Sequence, residues 1–151
     1  MKILGVVASH RRQGNTEVFI KEALMGAEEA GAQADILRLT NFYIEPCTGC
    51  GRCQSGRIPC HLKDDFYYVL ERMLGSDGII MGAPCYFLAI PGTLKLFLDR
   101  TVAVGFPIPL EGKPAAIIIP YGNRGFTSYA FVWPNLLLNK FGMNVIDRAL
   151  I

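Results

Sequence analysis

The sequence predicts an α/β domain built on an open, parallel, five-stranded sheet with helices on both faces. Three observations predict it. Apolar runs bounded by Gly and Pro alternate with segments of helical period, the pattern of successive βα units. Of the 151 residues, 51% are hydrophobic and 19% charged, which suits a sheet covered on both sides. No internal repeat, low-complexity tract or linker divides the chain, and its length is enough for one sizeable core.

The elements follow in order. Residues 2–8 read as a buried first strand. Residues 15–30 read as a helix with Phe19, Ala23, Ala27 and Ala30 on one face, Glu17 and Lys21 paired on the other, and Gly31 as its stop. Residues 34–39 form the second strand. Residues 40–63 show no periodicity, and a connection of that length inside a compact domain is usually functional or metal-tied. Asp64 or Asp65 is placed to cap a helix whose stripe is Phe66, Val69, Leu70 and Met73, ended by Gly75. Residues 78–81 are the third strand. Pro91 opens a helix turning Leu94, Phe97, Leu98 and Val102 inward. Residues 115–119 are the fourth strand, residues 126–141 a helix that Pro134 should kink or split, and residues 143–149 the fifth strand. No helix follows, so apolar surface is left for another subunit or for residues beyond Ile151.

Charge excludes some functions. The net charge of +2 comes from 15 basic and 13 acidic residues spread along the chain, which leaves no footprint for nucleic acid or membrane. The apolar start at residues 1–8 is too short for a signal peptide or a spanning helix, so a cytoplasmic protein is expected. Four of the five cysteines fall between Cys47 and Cys60, and such clustering in a reducing compartment favours metal or redox chemistry.

Ser9-His10-Arg11-Arg12-Gln13-Gly14-Asn15-Thr16 lies between the first strand and the first helix. It offers hydroxyls, an amide and a guanidinium around a helix N-terminus, where free N–H groups and the helix dipole attract a phosphate dianion. The Walker and dinucleotide glycine patterns are missing, which disfavours ATP and NAD cradles. An ordinary turn capped by Asn15 or Thr16 is the alternative.

This loop resembles the FMN-phosphate loop of the NADPH-dependent FMN reductase and iron-sulfur flavoprotein group, which has a flavodoxin-like fold. Gly82-Ala83-Pro84-Cys85-Tyr86-Phe87, followed by the helix from Pro91 to Arg100, resembles that group's flavin-ring loop and the helix after it. The resemblance implies a single flavodoxin-like domain over residues 1–151, strand order 2-1-3-4-5, with the cysteine-rich loop at 40–63 as an insertion. It also implies FMN, its phosphate held by Ser9, Arg11, Asn15 and Thr16 around Gly14, its ring bordered by Pro84, Cys85, Tyr86 and Phe87. In a doubly wound sheet the ligand sits beyond the carboxyl ends of the strands at the switch point, so a third loop, with Tyr121, Gly122, Asn123 and Gly125, should join them. Cys85 taken alone reads as a packed hydrophobe, Asp99 and Arg100 as salt-bridge or dimer-contact residues, and His61 as a surface histidine.

Cys47-x-x-Cys50-x-x-Cys53 and Cys60 supply four thiols in a Gly-rich loop, the short spacing by which proteins hold a cubane cluster. With the following His61-Leu62-Lys63-Asp64-Asp65-Phe66, it resembles the compact motif of the iron-sulfur flavoproteins, which implies that these four cysteines ligate a 4Fe-4S cluster. Zinc, a disulfide, or a loop without any cluster are the alternatives. The expected function is an FMN-dependent oxidoreductase passing electrons between cluster and FMN, with no protein side chain as catalytic acid or base. A cluster-free NAD(P)H-dependent FMN or quinone reductase and a flavodoxin-like electron carrier are the alternatives. Ferredoxin or NAD(P)H is the expected electron donor, and a homodimer or homotetramer the expected assembly, with cluster and flavin meeting across a subunit interface.

Overall fold

Five parallel strands, β1 (Lys2–Val7), β2 (Gln33–Arg38), β3 (Gly78–Gly82), β4 (Pro114–Ile119) and β5 (Asn144–Leu150), pair in the order β2-β1-β3-β4-β5. The computed structural model of the chain describes residues 1–56, 59–104, 110–122 and 128–150. From β1 the chain moves outward to β2, then back across β1 to β3, so the switch point lies between β1 and β3. Val7 is level with Gly82 in the register; Ala8 N–H donates to Gly82 O (2.9 Å) and Ala83 N–H to Ile118 O (3.1 Å). The carboxyl ends of β1, β3 and β4 therefore open side by side.

Period-two alternation divides the core. Leu4 and Val6 of β1 face Phe66, Val69 and Met73 of α3 (Phe66–Leu74), Leu94 and Phe97 of α4 (Gly92–Arg100), and Leu138 of α5 (Ser128–Lys140), all buried. Ile3 and Val7 face Ile20 and Leu24 of α1 (Asn15–Glu29) on the opposite side. On β5, Val145 packs into the first cluster while Ile146, pointing the other way, is 72% exposed.

Helix α1 rests on glycine. A Cβ on Gly82 would lie 2.5 Å from Ile20 Cδ1 and 3.0 Å from Thr16 Cγ2, and one on Gly5 would lie 2.6 Å from Ile20 Cγ2. Only bare backbone lets the first turns of α1 sit this close to the sheet. The closeness also corrects the expected helix face. Thr16, Ile20 and Leu24 fill the glycine floor, Phe19, Ala23 and Ala27 pack along its flank, and Ala30 is exposed.

The remaining elements match expectation with three differences. Helix α4 ends at Arg100, so Val102, expected on its inward face, lies half-buried in a 3-10 turn (Thr101–Ala103) and borders the cysteine cavity instead of the core. Residues 40–63 are not bare loop: a 3-10 turn (Leu39–Asn41) and a short helix, α2 (Arg52–Gly56), lie within or beside it. Helix α5 runs through Pro134 rather than splitting there. Proline removes one backbone hydrogen bond, but Ala130, Pro134 and Leu138 form one buried stripe that holds both halves to the core. Asp65 stands at the cap position of α3, yet it is Asp64 Oδ1 that accepts the Phe66 N–H (3.2 Å). Among the described residues no helix is long and apolar enough to cross a membrane.

Candidate functional site

Three loops meet over the switch point around a cleft of about 260 Å³. Its walls are Ser9, Arg11, Gly14, Asn15 and Thr16 from the first loop, Pro84, Cys85 and Tyr86 from the second, and Pro120, Tyr121 and Gly122 from the third. All but Pro120 are residues singled out by the sequence. Pro120 was missed, and its place directly after the β4 run was the only signal for it. Asn123 and Gly125 lie outside the described residues.

The phosphate end of the cleft has a specific backbone. Gly14, which has no side chain to cap with, occupies the cap position of α1, so the ordinary capped turn is not what forms. The Glu17 N–H donates to Gly14 O (2.9 Å), and the Asn15 and Thr16 N–H groups are left to the cleft. A Cβ on Gly14 would lie 2.9 Å from Arg11 Cβ and 3.3 Å from Arg11 O, so the loop folds back on itself too tightly for any other residue. Arg11 N–H donates to Ser9 Oγ (3.2 Å), and Gln13 is held at φ 55°, in the left-handed region. Ser9 and Thr16 are buried against the sheet, while the Arg11 side of the loop stays open. This donor set fits a phosphate dianion.

At the other end, Tyr86 N–H donates to Ala89 O (2.8 Å) and Ala89 N–H to Tyr86 O (3.0 Å). They close a two-residue turn in which Phe87 (φ 42°) and Leu88 (φ 67°) both take the left-handed conformation. The turn carries Phe87 away from the cleft, where it is 99% exposed and lines no part of the site. Cys85 packs against the core as a hydrophobe and also borders the cleft, and its N–H donates to Pro120 O (3.4 Å), tying the second loop to the third. Pro84, Tyr86 and Tyr121 offer the apolar and aromatic surface a flat ring needs.

A second cavity, of about 320 Å³, is bordered by Cys47, Cys50, Cys53 and Cys60, with Leu62, Arg100, Val102 and Ala103 among its other walls. All four stand as free thiols. Gly49 (φ 67°) and Gly51 (φ 69°) supply the left-handed turns that wrap the loop around it. The four sulfurs border a shared space, but among the described residues no three His, Cys, Asp or Glu side chains are placed to hold a metal ion. Four thiols are the donor chemistry of an iron-sulfur cluster, but as described they do not converge on one point. A backbone N–H donated at Arg52, then the Thr48 side chain, hold the Cys50 thiol below its usual pKa. His61 is exposed, its Nδ1 3.8 Å from Cys50 Sγ.

One wall of that cavity is a buried ion pair. The Arg100 and Asp64 side chains, 1% and 0% exposed, are bonded through both guanidinium NH2 groups. Arg100 Nη1 also donates to Glu45 O (3.1 Å), and Asp64 Oδ2 accepts the Glu45 N–H (2.8 Å), so the pair anchors the segment entering the cysteine loop. The guanidinium lies 4.9 Å over the Phe66 ring, and its Nε is buried without a hydrogen-bond partner. Burial opposes charge on both groups. The bonds to Arg100 nevertheless hold the Asp64 carboxyl below its usual pKa, and those to Asp64 raise that of Arg100. Asp99 pairs with Lys95 one turn earlier, so both residues of the Asp99-Arg100 dipeptide are salt-bridge residues.

The sequence profile of the NADPH-dependent FMN reductase family matches residues 1–151. An iron-sulfur flavoprotein of Methanocaldococcus jannaschii is 35% identical over 125 residues, covering 82% of this chain and 64% of that one. Another, from Archaeoglobus fulgidus, is 35% identical over 153 residues, covering 100% of this chain and 74% of its own. The chain thus spans about two thirds of the length of the curated relatives it matches. Among solved structures, a flavone reductase superposes with a TM-score of 0.80 at 25% identity, over 100% of this chain and 54% of the other. An archaeal flavodoxin superposes with a TM-score of 0.63 at 18% identity, over 100% and 84%, which is a likeness of fold.

Proposed function

The chain belongs to the NADPH-dependent FMN reductase family, and from that premise we propose that it is an FMN-dependent oxidoreductase whose four-cysteine loop carries a 4Fe-4S cluster. The observation that carries the flavin half is the single cleft uniting all three loops at the switch point. Bound there, FMN supplies hydride and single-electron chemistry. Arg11 and the Ser9 and Thr16 hydroxyls hold the phosphate with the N–H groups at the start of α1. Pro84, Cys85, Tyr86 and Tyr121 border the ring, and Gly122 permits close approach. Phe87 closes over the ring edge only if its turn moves. No side chain in the cleft is needed as an acid or base.

Support for the cluster half is the shared cavity of Cys47, Cys50, Cys53 and Cys60, together with relatives named for iron-sulfur and flavin together. Burial and the Arg100 charge are the levers by which the protein would tune the potential there. The ring loop leads into α4 and the cysteine cavity lies at its far end, so the two sites of one chain stand roughly 13 Å of helical rise apart. That separation motivates an assembly, dimer or tetramer, in which the cluster of one subunit approaches the flavin of its partner. Ferredoxin or NAD(P)H is the proposed donor. The family's NADPH dependence and the unconverged sulfurs favour one second reading, a cluster-free NAD(P)H-dependent FMN or quinone reductase.

Anaerobic purification, with flavin, iron and acid-labile sulfide measured per chain and flavin bleaching by NADPH followed in stopped flow, separates the readings. Flavin with iron and sulfide in equal amounts supports the first. Flavin bleached by NADPH in an iron-free protein supports the second and removes the cluster.

A further inference from the structure

Beneath the phosphate loop lies an ion pair that the cleft does not touch. Glu17, in the first turn of α1, and Arg38, the last residue of β2, are bonded with side chains 10% and 12% exposed. Each partner also grips one end of the loop. Glu17 Oε2 accepts the Gln13 N–H (2.8 Å), and Arg38 Nη2 donates to Ser9 O (3.3 Å). The pair therefore closes a ring through residues 9–13, pinning Ser9 at the entrance and the left-handed Gln13 at the exit.

We propose that the Glu17–Arg38 pair is a clasp that sets the shape of the phosphate loop, and that Glu17 is a positioning residue for the phosphate although its own charge repels it. The inference rests on the reading of this loop as the FMN phosphate cradle. A simple helix-surface role does not account for Glu17. Its i,i+4 pair with Lys21 (2.9 Å) is the contact such a role would need, and exposed pairs of that type contribute little to stability. Glu17 is instead buried, turned toward the loop, and bonded to a backbone N–H whose residue holds a conformation that non-glycine residues avoid. The hydrogen bond from Lys21, then the Gln13 N–H, hold the carboxyl below its usual pKa, so it is ionised and a full acceptor. Arg38 and Lys21 together offset its field at the cleft.

The clasp and plain electrostatics predict opposite signs. Removing a carboxylate beside a phosphate site should tighten binding of a dianion if field alone matters. If Glu17 positions the loop, removing it releases Gln13, frees Arg38 from Ser9, and weakens binding in spite of the lost repulsion. Riboflavin, which lacks the phosphate, reports on the ring side and on the integrity of the fold.

The test is equilibrium binding of FMN and riboflavin to flavin-free wild type, Glu17→Ala and Glu17→Gln, followed by flavin fluorescence. The clasp predicts that Glu17→Ala weakens FMN at least about tenfold, the scale of losing a hydrogen bond to a charged group. Glu17→Gln, which keeps an acceptor for Gln13 N–H, should fall between Glu17→Ala and wild type, and riboflavin should stay within about twofold throughout. Hydrogen exchange on the wild type adds a measurement that needs no variant: the Gln13 amide should be protected without flavin. Equal or tighter FMN binding in Glu17→Ala overturns the proposal. So does parallel loss of riboflavin, which would mark a fold defect, or an unprotected Gln13 amide. Wild type that binds FMN no better than riboflavin would instead remove the phosphate cradle itself, and the clasp with it.

Discussion

Replacing Asp64 with alanine isolates the one fully buried ion pair seen among the described residues. The carboxylate accepts from both guanidinium NH2 groups of Arg100 and from the N–H groups of Glu45 and Phe66. Its loss leaves Arg100, 1% exposed and already short of a partner at Nε, as an uncompensated charge in the core. Stranding a buried charge costs about 3–5 kcal/mol, which for a chain of this length lowers Tm by roughly 6–20 °C. Urea unfolding of the flavin-free protein is the suitable assay, because bound ligand would add its own stabilisation. The midpoint should fall with the slope unchanged. The double variant Asp64→Asn/Arg100→Met, which removes both charges and keeps much of the volume, should lie within about 2 kcal/mol of wild type. Loss below about 1 kcal/mol in Asp64→Ala, or a double variant no more stable than the single, would refute this reasoning. Acid supplies the sign. Asp64 has a lowered folded-state pKa, so its contribution is complete above the ordinary carboxylate range and is lost as pH falls through the lowered value. Wild-type stability should drop below about pH 4, and the double variant should drop less steeply.

Other predictions follow from the same geometry. Gly82→Ala forces a methyl against Ile20 and Thr16 and should destabilise by about 1–3 kcal/mol while weakening FMN. Gly26→Ala, in the same helix α1 but with nothing within 4 Å of the new methyl, should stabilise by about 0.5–1 kcal/mol; denaturant midpoints check both. Cys53→Ser should remove iron and sulfide from anaerobically prepared protein and leave FMN content unchanged, because the two cavities share no wall.

How much of this was legible in the sequence depended on the range of the interactions. Strands and helices were readable because their periodicities are local, and the first-loop residues were readable because a helix N-terminus gathers its own neighbours. The buried face of α1 includes the expected Phe19, Ala23 and Ala27 but is centred on Thr16, Ile20 and Leu24, because the alanine spacing is as regular as that of Ile20 and Leu24 and only a glycine floor contributed by β1 and β3 sets the centre. Residues 40–63 looked structureless because their order comes from Asp64, Asp65 and Tyr67, which bond Glu45, Tyr43 and Cys60 from outside the segment. The Glu17–Arg38 and Asp64–Arg100 pairs span 21 and 36 residues and join different elements, so no spacing rule could announce them. Phe87 was grouped with its neighbours as a ring contact, and only the turn closed by Tyr86 and Ala89 shows it facing outward.

The most direct test of the flavin site is the phosphorus-31 NMR signal of FMN on the protein, followed with pH. Free phosphate monoester titrates near pH 6, at about its second pKa. Held by Arg11, the Ser9 and Thr16 hydroxyls and the start of α1, the phosphate should give one displaced resonance that stays dianionic through that range. A resonance that titrates like free FMN, or no bound signal at all, would contradict the account.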